Sequence, residues 1–315
     1  MPRRATYPIA QRLASRRRCR YSASAMFGLS RYYSGMVFAL VTACGLGAIT
    51  SLAKIFYNDG GNALGLMLVR FVASTLVFGL LVLLRRDGFN VHATRRLPLI
   101  AIGLIWSSGM VCYLVAVETI SVSLGVLIFY TYPLLVLGYS IGSRQLKPSP
   151  GPIALFVGAF AGLYLALAGG ELHVDISGLL FAALASCAAA FTFVCGARVA
   201  PTLSPLVMTF WINATGLVLV TPFILAGTEF PGTPDGYIAL ILATLLYLVA
   251  IASQFEALAR LPAARAAFLL NLEPVVSLVL ARLLLAETLN PVQTAGVIVV
   301  ISAVILSLRF RAASA

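Results

Sequence analysis

The sequence predicts an all-α membrane protein of ten transmembrane helices, arranged as two inverted five-helix repeats. Three observations predict it: a composition no water-facing surface could carry, ten apolar runs of spanning length, and a match of the first five runs to the last five at one offset. Of the 315 residues, 61% are hydrophobic and 10% charged, and the mean hydropathy is +1.00. A soluble domain holds roughly 45–50% apolar and about 25% charged residues. So few charges cannot clothe a globule in water, which excludes soluble enzymes, nucleic-acid-binding domains and secreted disulfide scaffolds together. The net charge of +12 then belongs to membrane topology and not to nucleic acid. Cys19, Cys44, Cys112, Cys187 and Cys195 form no CxxC pair, and all but Cys19 stand in apolar runs as small hydrophobes.

A helix crossing a ~30 Å hydrocarbon core needs about 20 apolar residues at ~1.5 Å each. The first run, 36–56, ends at Asn58-Asp59-Gly60-Gly61, and the second, 62–84, ends at Arg85-Arg86-Asp87-Gly88. Runs 97–117 and 120–143 are parted only by Glu118-Thr119 and so form a tight hairpin. Lys147-Pro148-Ser149-Pro150 opens the fifth run, 150–168, and the sixth and seventh follow at 177–197 and 204–226. Pro231-Gly232-Thr233-Pro234-Asp235-Gly236 precedes the eighth, 237–258. A second short joint at Arg260-Leu261 leads to the ninth, 262–285, and the tenth covers 290–308.

Basic residues orient the spans. With the N-terminus placed in the cytoplasm, all but three of the 22 basic residues fall on the cytoplasmic side. The exceptions are Lys54 and Arg282, near the far face, and Arg70, inside a span. Asp59, Glu118, Glu171, Asp175, Glu229, Asp235 and Glu287 fall on the far side. Both termini are therefore expected in the cytoplasm of a multi-pass protein of the cytoplasmic (inner) membrane. Residues 1–35 form an Arg-rich tail without acids, and three readings fit it: a basic tail held near anionic lipid, an organellar targeting peptide, or translation beginning at Met26 or Met36. A cleaved secretory signal is not expected, since no apolar core precedes Met36.

Displacing the chain by 141 residues lays the first five runs on the last five without a gap. Identities at that offset include Met67/Met208, Ala116/Ala257, Pro133/Pro274, Leu137/Leu278 and Pro150/Pro291. This gives a first repeat over 36–173 and a second over 174–309. An odd number of spans per repeat makes the second half enter the membrane with opposite polarity. Inverted repeats of this kind mark secondary transporters, whose substrate site lies near the midplane between the halves.

Leu272-Glu273-Pro274-Val275, then Glu287, Leu289, Pro291, Gln293 and Gly296, resemble the C-terminal half of an EamA-type repeat of the drug/metabolite transporter superfamily. The first repeat resembles it more weakly: Tyr132-Pro133 stands where the family often has an acid before proline, and Arg144-Gln145-Leu146 where Gly-Glu is usual. The resemblance covers about residues 36–309. It implies a carrier of small organic solutes, with export favoured, and leaves the substrate open.

Two charges lie at midspan. Arg70 in the second run needs a partner or a wet cavity, because a central arginine costs roughly 2.5–3.5 kcal/mol on insertion scales. It is expected to contact a substrate anion or carboxylate, or to bridge to backbone carbonyls or to a glutamate elsewhere in the bundle. Glu273 directly precedes Pro274, whose ring removes a backbone donor. Its carboxyl either binds a cation or proton, or satisfies the loosened backbone. Arg70 and Glu273 would neutralise each other directly or across a zwitterion such as an amino acid. Pro133 and Pro274 are kinks or hinges. The rest of the candidate lining is Trp106, Tyr113, Tyr130, Tyr132, Trp211, Asn213, Tyr247, Gln254 and Asn271. The three amides among them would be costly against lipid and are expected to face inward. Trp106 and Tyr247 are repeat mates. Gly138/Gly142 and Gly158/Gly162 are GxxxG pairs expected at close helix crossings. Glu256 and Arg260 are expected to form an exposed i,i+4 pair, and Glu287 to cap a loop.

An intramembrane enzyme acting on lipid or peptide is the alternative class. Neither Lys54 nor Lys147 stands in a phosphate-binding loop, there is no HExxH, every aspartate lies in a loop, and His92 and His173 fall outside the spans. No cofactor and no metal site is expected. The partners implied are a small-molecule substrate, the lipid bilayer and protons as coupling ion, with no nucleic acid; either a monomer or an oligomer fits.

Overall fold

A computed structural model describes residues 9–89, 91–168, 174–224, 227–285 and 290–309. His173 and Glu287 lie outside the described residues. Among those described, all regular structure is helical: α1 (Ile9–Asn58), α2 (Ala63–Arg85), α3 (Ala93–Thr119), α4 (Val122–Phe129), α5 (Tyr132–Gly142), α6 (Pro150–Ala166), α7 (Ile176–Val199), α8 (Pro205–Ile224), α9 (Pro234–Leu258), α10 (Ala263–Leu269), α11 (Leu272–Leu285) and α12 (Pro291–Arg309), with a 3-10 turn at Ala200–Thr202. Among the described residues nine segments are long and apolar enough to cross a bilayer, counting Val122–Gly142 and Ala263–Leu283 each as one span, and the apolar helix Pro150–Ala166 is a shorter tenth. The chain is a multi-pass membrane protein.

Two features differ from the sequence reading. Helix α1 begins at Ile9 and runs through the Arg-rich segment into its apolar part, Ser30–Asn58. Alanine, arginine, leucine and glutamine are good helix formers and residues 9–58 contain no proline, so nothing stops the helix upstream of the membrane. The fourth and ninth spans, expected to be continuous, are each broken at the middle, between α4 and α5 and between α10 and α11.

Helix starts on the acidic side are set by short polar side chains. Asn62 accepts from the Gly65 N–H at 2.9 Å, Asp175 from Gly178 at 3.2 Å, and the Thr233 hydroxyl from Gly236 at 3.4 Å. Asp59 ties the end of α1 to the start of α9, accepting from the Thr233 N–H at 2.9 Å and its hydroxyl at 2.8 Å.

The inverted repeats show in the pairing of helices. The most extensive packings are α1 with α9 and α3 with α7, which the 141-residue offset exchanges for one another. Both depend on glycine: a Cβ at Gly45 would lie 3.0 Å from the Ala250 Cβ, and one at Gly109 would lie 2.5 Å from the Ala188 Cβ. Two further large pairings, α2 with α8 and α6 with α12, join a helix to its own mate.

The GxxxG expectation is corrected. Gly138, Gly142 and Gly158 have open space beside them, and only Gly162 sits at a crossing, against Val299. The close contact is between α6 and α12, where a Cβ at Gly296 would meet the Gly162 carbonyl at 2.5 Å and the Ala166 Cα at 2.7 Å. Overpacking such a site costs about 1–3 kcal/mol. Gly296→Val is expected to lower the thermal unfolding midpoint of the detergent-solubilised protein, while Gly138→Ala leaves it unchanged or higher. Equal midpoints for the two variants would contradict this reading of α6 and α12.

Candidate functional site

The broken spans bring polar groups to the bilayer interior. In the first repeat Pro133 denies the Phe129 carbonyl its helical donor, and the Thr131 carbonyl takes the N–H groups of Leu134 and Leu135 at 3.0 and 3.1 Å. In the second, Pro274 frees the Leu270 carbonyl, which accepts the Glu273 N–H at 2.9 Å instead. Thr131 is fixed across the break by a 2.8 Å hydrogen bond with Ser186 of α7. Opposite it, Thr50 of α1 meets Ser277 of α11 at 2.5 Å. Neighbouring Gly47 lets α1 close on the Glu273 carbonyl, 2.5 Å from where a Cβ would stand.

Glu273 stands at the second break, and the first repeat surrounds it. The Tyr130 hydroxyl donates to its carboxylate, and Tyr113 and Tyr132 are electrostatic neighbours of the same group. These tyrosines are locked by ring contacts: Phe129 lies 5.4 Å from Tyr113, 5.4 Å from Tyr130 and 5.5 Å from Tyr132, and Tyr132 packs 5.2 Å from Phe193 of α7. Edge and tilted geometries of this kind hold aromatic rings in fixed orientation.

Arg70 lies in a second group. Its guanidinium sits 5.5 Å from the centroid of the Tyr247 ring, a cation–π contact. The Tyr247 hydroxyl donates to Asn213 Oδ1 at 3.0 Å, and Asn213 Nδ2 donates to the Thr209 carbonyl at 2.8 Å. Trp106 is a further hydrogen-bonding partner of the Tyr247 hydroxyl. Arg70 Nε is buried without a hydrogen-bond partner. Tyr57, at the end of α1, is an electrostatic neighbour of Arg70, and also of Tyr113 in the other group.

Both groups are composite. Arg70 and Trp106 come from the first repeat and Asn213 and Tyr247 from the second; Tyr113, Tyr130 and Tyr132 come from the first and Glu273 from the second. The offset pairs Tyr132 with Glu273, Tyr130 with Asn271, Tyr113 with Gln254 and Arg70 with Trp211, so chemically unlike mates share the work and neither group is duplicated. Arg70 and Glu273 both stand at mid-helix and are half-buried. Direct neutralisation is not what is found: among the described residues no ion pair joins Arg70 to Glu273, and Tyr57 and Tyr113 form the link between their groups.

The other candidates are placed elsewhere. Asn271 donates to the Phe268 carbonyl at 2.9 Å and closes the end of α10. Gln254 is buried in α9 with Nε2 unpartnered, and Trp211 packs 5.7 Å from Phe210 with Nε1 unpartnered; no hydrogen bond among the described residues draws either into the two groups. Glu256 and Arg260, expected as an exposed pair, are only 30% and 25% exposed; they meet at 2.5 Å while Arg260 lies 4.5 Å from the Phe38 ring centroid, clamping α9 to α1. Tyr57, Phe129 and Phe193 were not singled out by sequence. Tyr57 reads as an interfacial aromatic beside Asn58, and only the i,i+3 spacing of Phe129 from Tyr132 hints at its place.

Ten helices in two inverted repeats, with broken spans and charges facing inward where the repeats meet, define the scaffold of a membrane transporter. The chain belongs to the EamA-like transporter family, which matches residues 33–168 and 176–309, and the family's members are transporters of the drug/metabolite superfamily. A protein of known crystal structure shares the fold with a TM-score of 0.75 at 16% identity, over 88% of this chain and 96% of its own. No curated protein matches the chain significantly in sequence.

Proposed function

We propose that this transporter is a secondary carrier that moves a small, amino-acid-like organic metabolite across the cytoplasmic membrane by alternating access, in the export direction and coupled to protons. The observation that carries the reading is the arrangement of the two midspan charges. Each is held by tyrosine, they are not paired with one another, and each is built from both repeats. A carboxylate fits Arg70, which no acid among the described residues pairs with, and an ammonium or a proton fits Glu273. The test is flux in proteoliposomes loaded with a labelled metabolite pool, with and without a pH gradient. Accumulation of a zwitterionic or anionic solute above empty liposomes is expected; turnover of lipid or peptide without flux would move the protein to the enzyme class.

The orientation has its own test. Reporter fusions after Asp87 and Arg311 are expected to report cytoplasm, and those after Asp175 and Asp235 the far side. Two reversed signals would overturn the assignment of both termini to the cytoplasm.

A further inference from the structure

The four half-helices of the broken spans are not treated alike. Helices α5 and α10 adjoin the basic joints at Arg144 and Arg260, and they pack on one another. Their repeat mates α11 and α4 adjoin the opposite side and show no such packing among the described residues. Burial follows the same division. In α10, Ala263, Ala264, Ala266, Ala267, Phe268 and Leu269 are all buried, whereas Gly125 is the sole buried residue of its mate α4. Helix α5 buries Tyr132, Pro133, Val136, Leu137 and Ser140, while α11 buries only Pro274 and Val275 beside the break among its described side chains.

The sequence supplies a cause. The offset sets Ala263 against Val122, Ala264 against Ser123, Ala266 against Gly125 and Ala267 against Val126. Alanine lets α10 settle against its neighbours, and packed interiors resist even one added methyl group. Helix α10 is also tied down: Arg265 Nη2 donates to the Ser307 carbonyl near the end of α12 at 2.6 Å. A guanidinium on the last carbonyls of a helix is a favourable charge–dipole contact. Helix α4 has no alanine and no comparable tie among the described residues.

We infer that the substrate-free carrier rests with its central site closed on the basic side and open on the opposite side, and that the unequal half-helices α10 and α4 set this bias. The inference rests on the carrier reading and adds to it which access state the chain itself favours. The carrier then waits for a proton from the side opposite its basic joints, and each cycle must lift α10 from α5 before substrate can enter from the basic side.

Two pairs of spin labels on the cysteine-free full chain in lipid nanodiscs test this by pulsed electron resonance. Ser143→Cys with Pro262→Cys reports the basic side, and Val122→Cys with Leu283→Cys the other. Without substrate, the basic-side pair is expected to show one short distance and the other pair a long one. Ala267→Val gives α10 the residue of its mate and should raise the basic-side-open population about tenfold. Val126→Ala thins α4 without crowding any site and should shift the population the same way, which decides the matter if Ala267→Val does not fold. Equal mixtures in the parent, a basic side already open, or distances unmoved by the variants that fold would overturn the inference. Flux with unbiased distances removes the bias alone; biased distances in a protein without flux remove the carrier reading alone.

Discussion

Glu273→Gln is expected to reduce flux driven by a pH gradient to the level of empty liposomes while substrate exchange at equal pH continues. Among the described acidic residues, Glu273 alone stands at the middle of a span; the others occupy loops and span ends. An ionisable group at that depth is costly unless the protein uses or compensates it, and here the Tyr130 hydroxyl donates to the carboxylate while Tyr113 and Tyr132 stand beside it. Glutamine keeps the volume and an oxygen for the Tyr130 hydroxyl, so the break at Pro274 and the ring cluster behind it should stand. What it removes is the ability to take up and release a proton. Exchange requires only that the loaded site change sides, so it survives. Tyr130→Phe is the companion variant: it removes the hydrogen bond and keeps the carboxyl, and gradient-driven flux should fall without vanishing. Gradient-driven flux that persists in Glu273→Gln would show that the coupling proton travels elsewhere.

The sequence carried the fold further than the site, for reasons visible in particular residues. Span positions follow from hydrophobic runs broken by Asn58-Asp59-Gly60-Gly61 or Pro231-Gly232, a signal as long as the helix it marks. The inverted pairing follows from an offset that needs no gaps. The breaks after Phe129 and Leu269 were legible only as prolines, because a proline in a span either kinks or interrupts it and the neighbouring helices decide which. Grouping the candidates was harder still. Tyr113 and Tyr130 belong with Glu273, and Tyr247 and Asn213 belong with Arg70, although no periodicity relates residues on different helices. Gln254 and Trp211 have the same polar-at-midspan signature and join neither group, since an amide or indole facing the interior meets that requirement at any crossing. GxxxG misled for a similar reason: the pattern licenses close approach, but only the facing helix supplies it, as α12 does for Gly162 and no neighbour does for Gly138.

Arg70→Lys is expected to raise the KM for anionic and zwitterionic substrates about ten- to a hundredfold, the span of one or two lost charge-assisted hydrogen bonds. The substitution keeps the positive charge, so a purely electrostatic role would leave transport nearly intact. Arg70 does more than carry charge. Its planar guanidinium lies against the Tyr247 ring at 5.5 Å, and that ring is fixed in turn by the Asn213 hydrogen bond at 3.0 Å. The guanidinium is thus positioned before substrate arrives, with its Nε buried and without a hydrogen-bond partner. An ammonium on a flexible stem offers neither the delocalised charge nor the fork. The fold should not suffer, because Tyr247, Asn213 and Trp106 keep their contacts with one another when the guanidinium is gone. The loss should therefore appear in KM before kcat, and only for substrates that carry an anionic group. A cationic solute taken by the same protein should be transported as well by Arg70→Lys as by the parent. Equal loss for both kinds of solute would make Arg70 a structural support of α2 and α9, and an unchanged KM for the anion would remove it from the binding site.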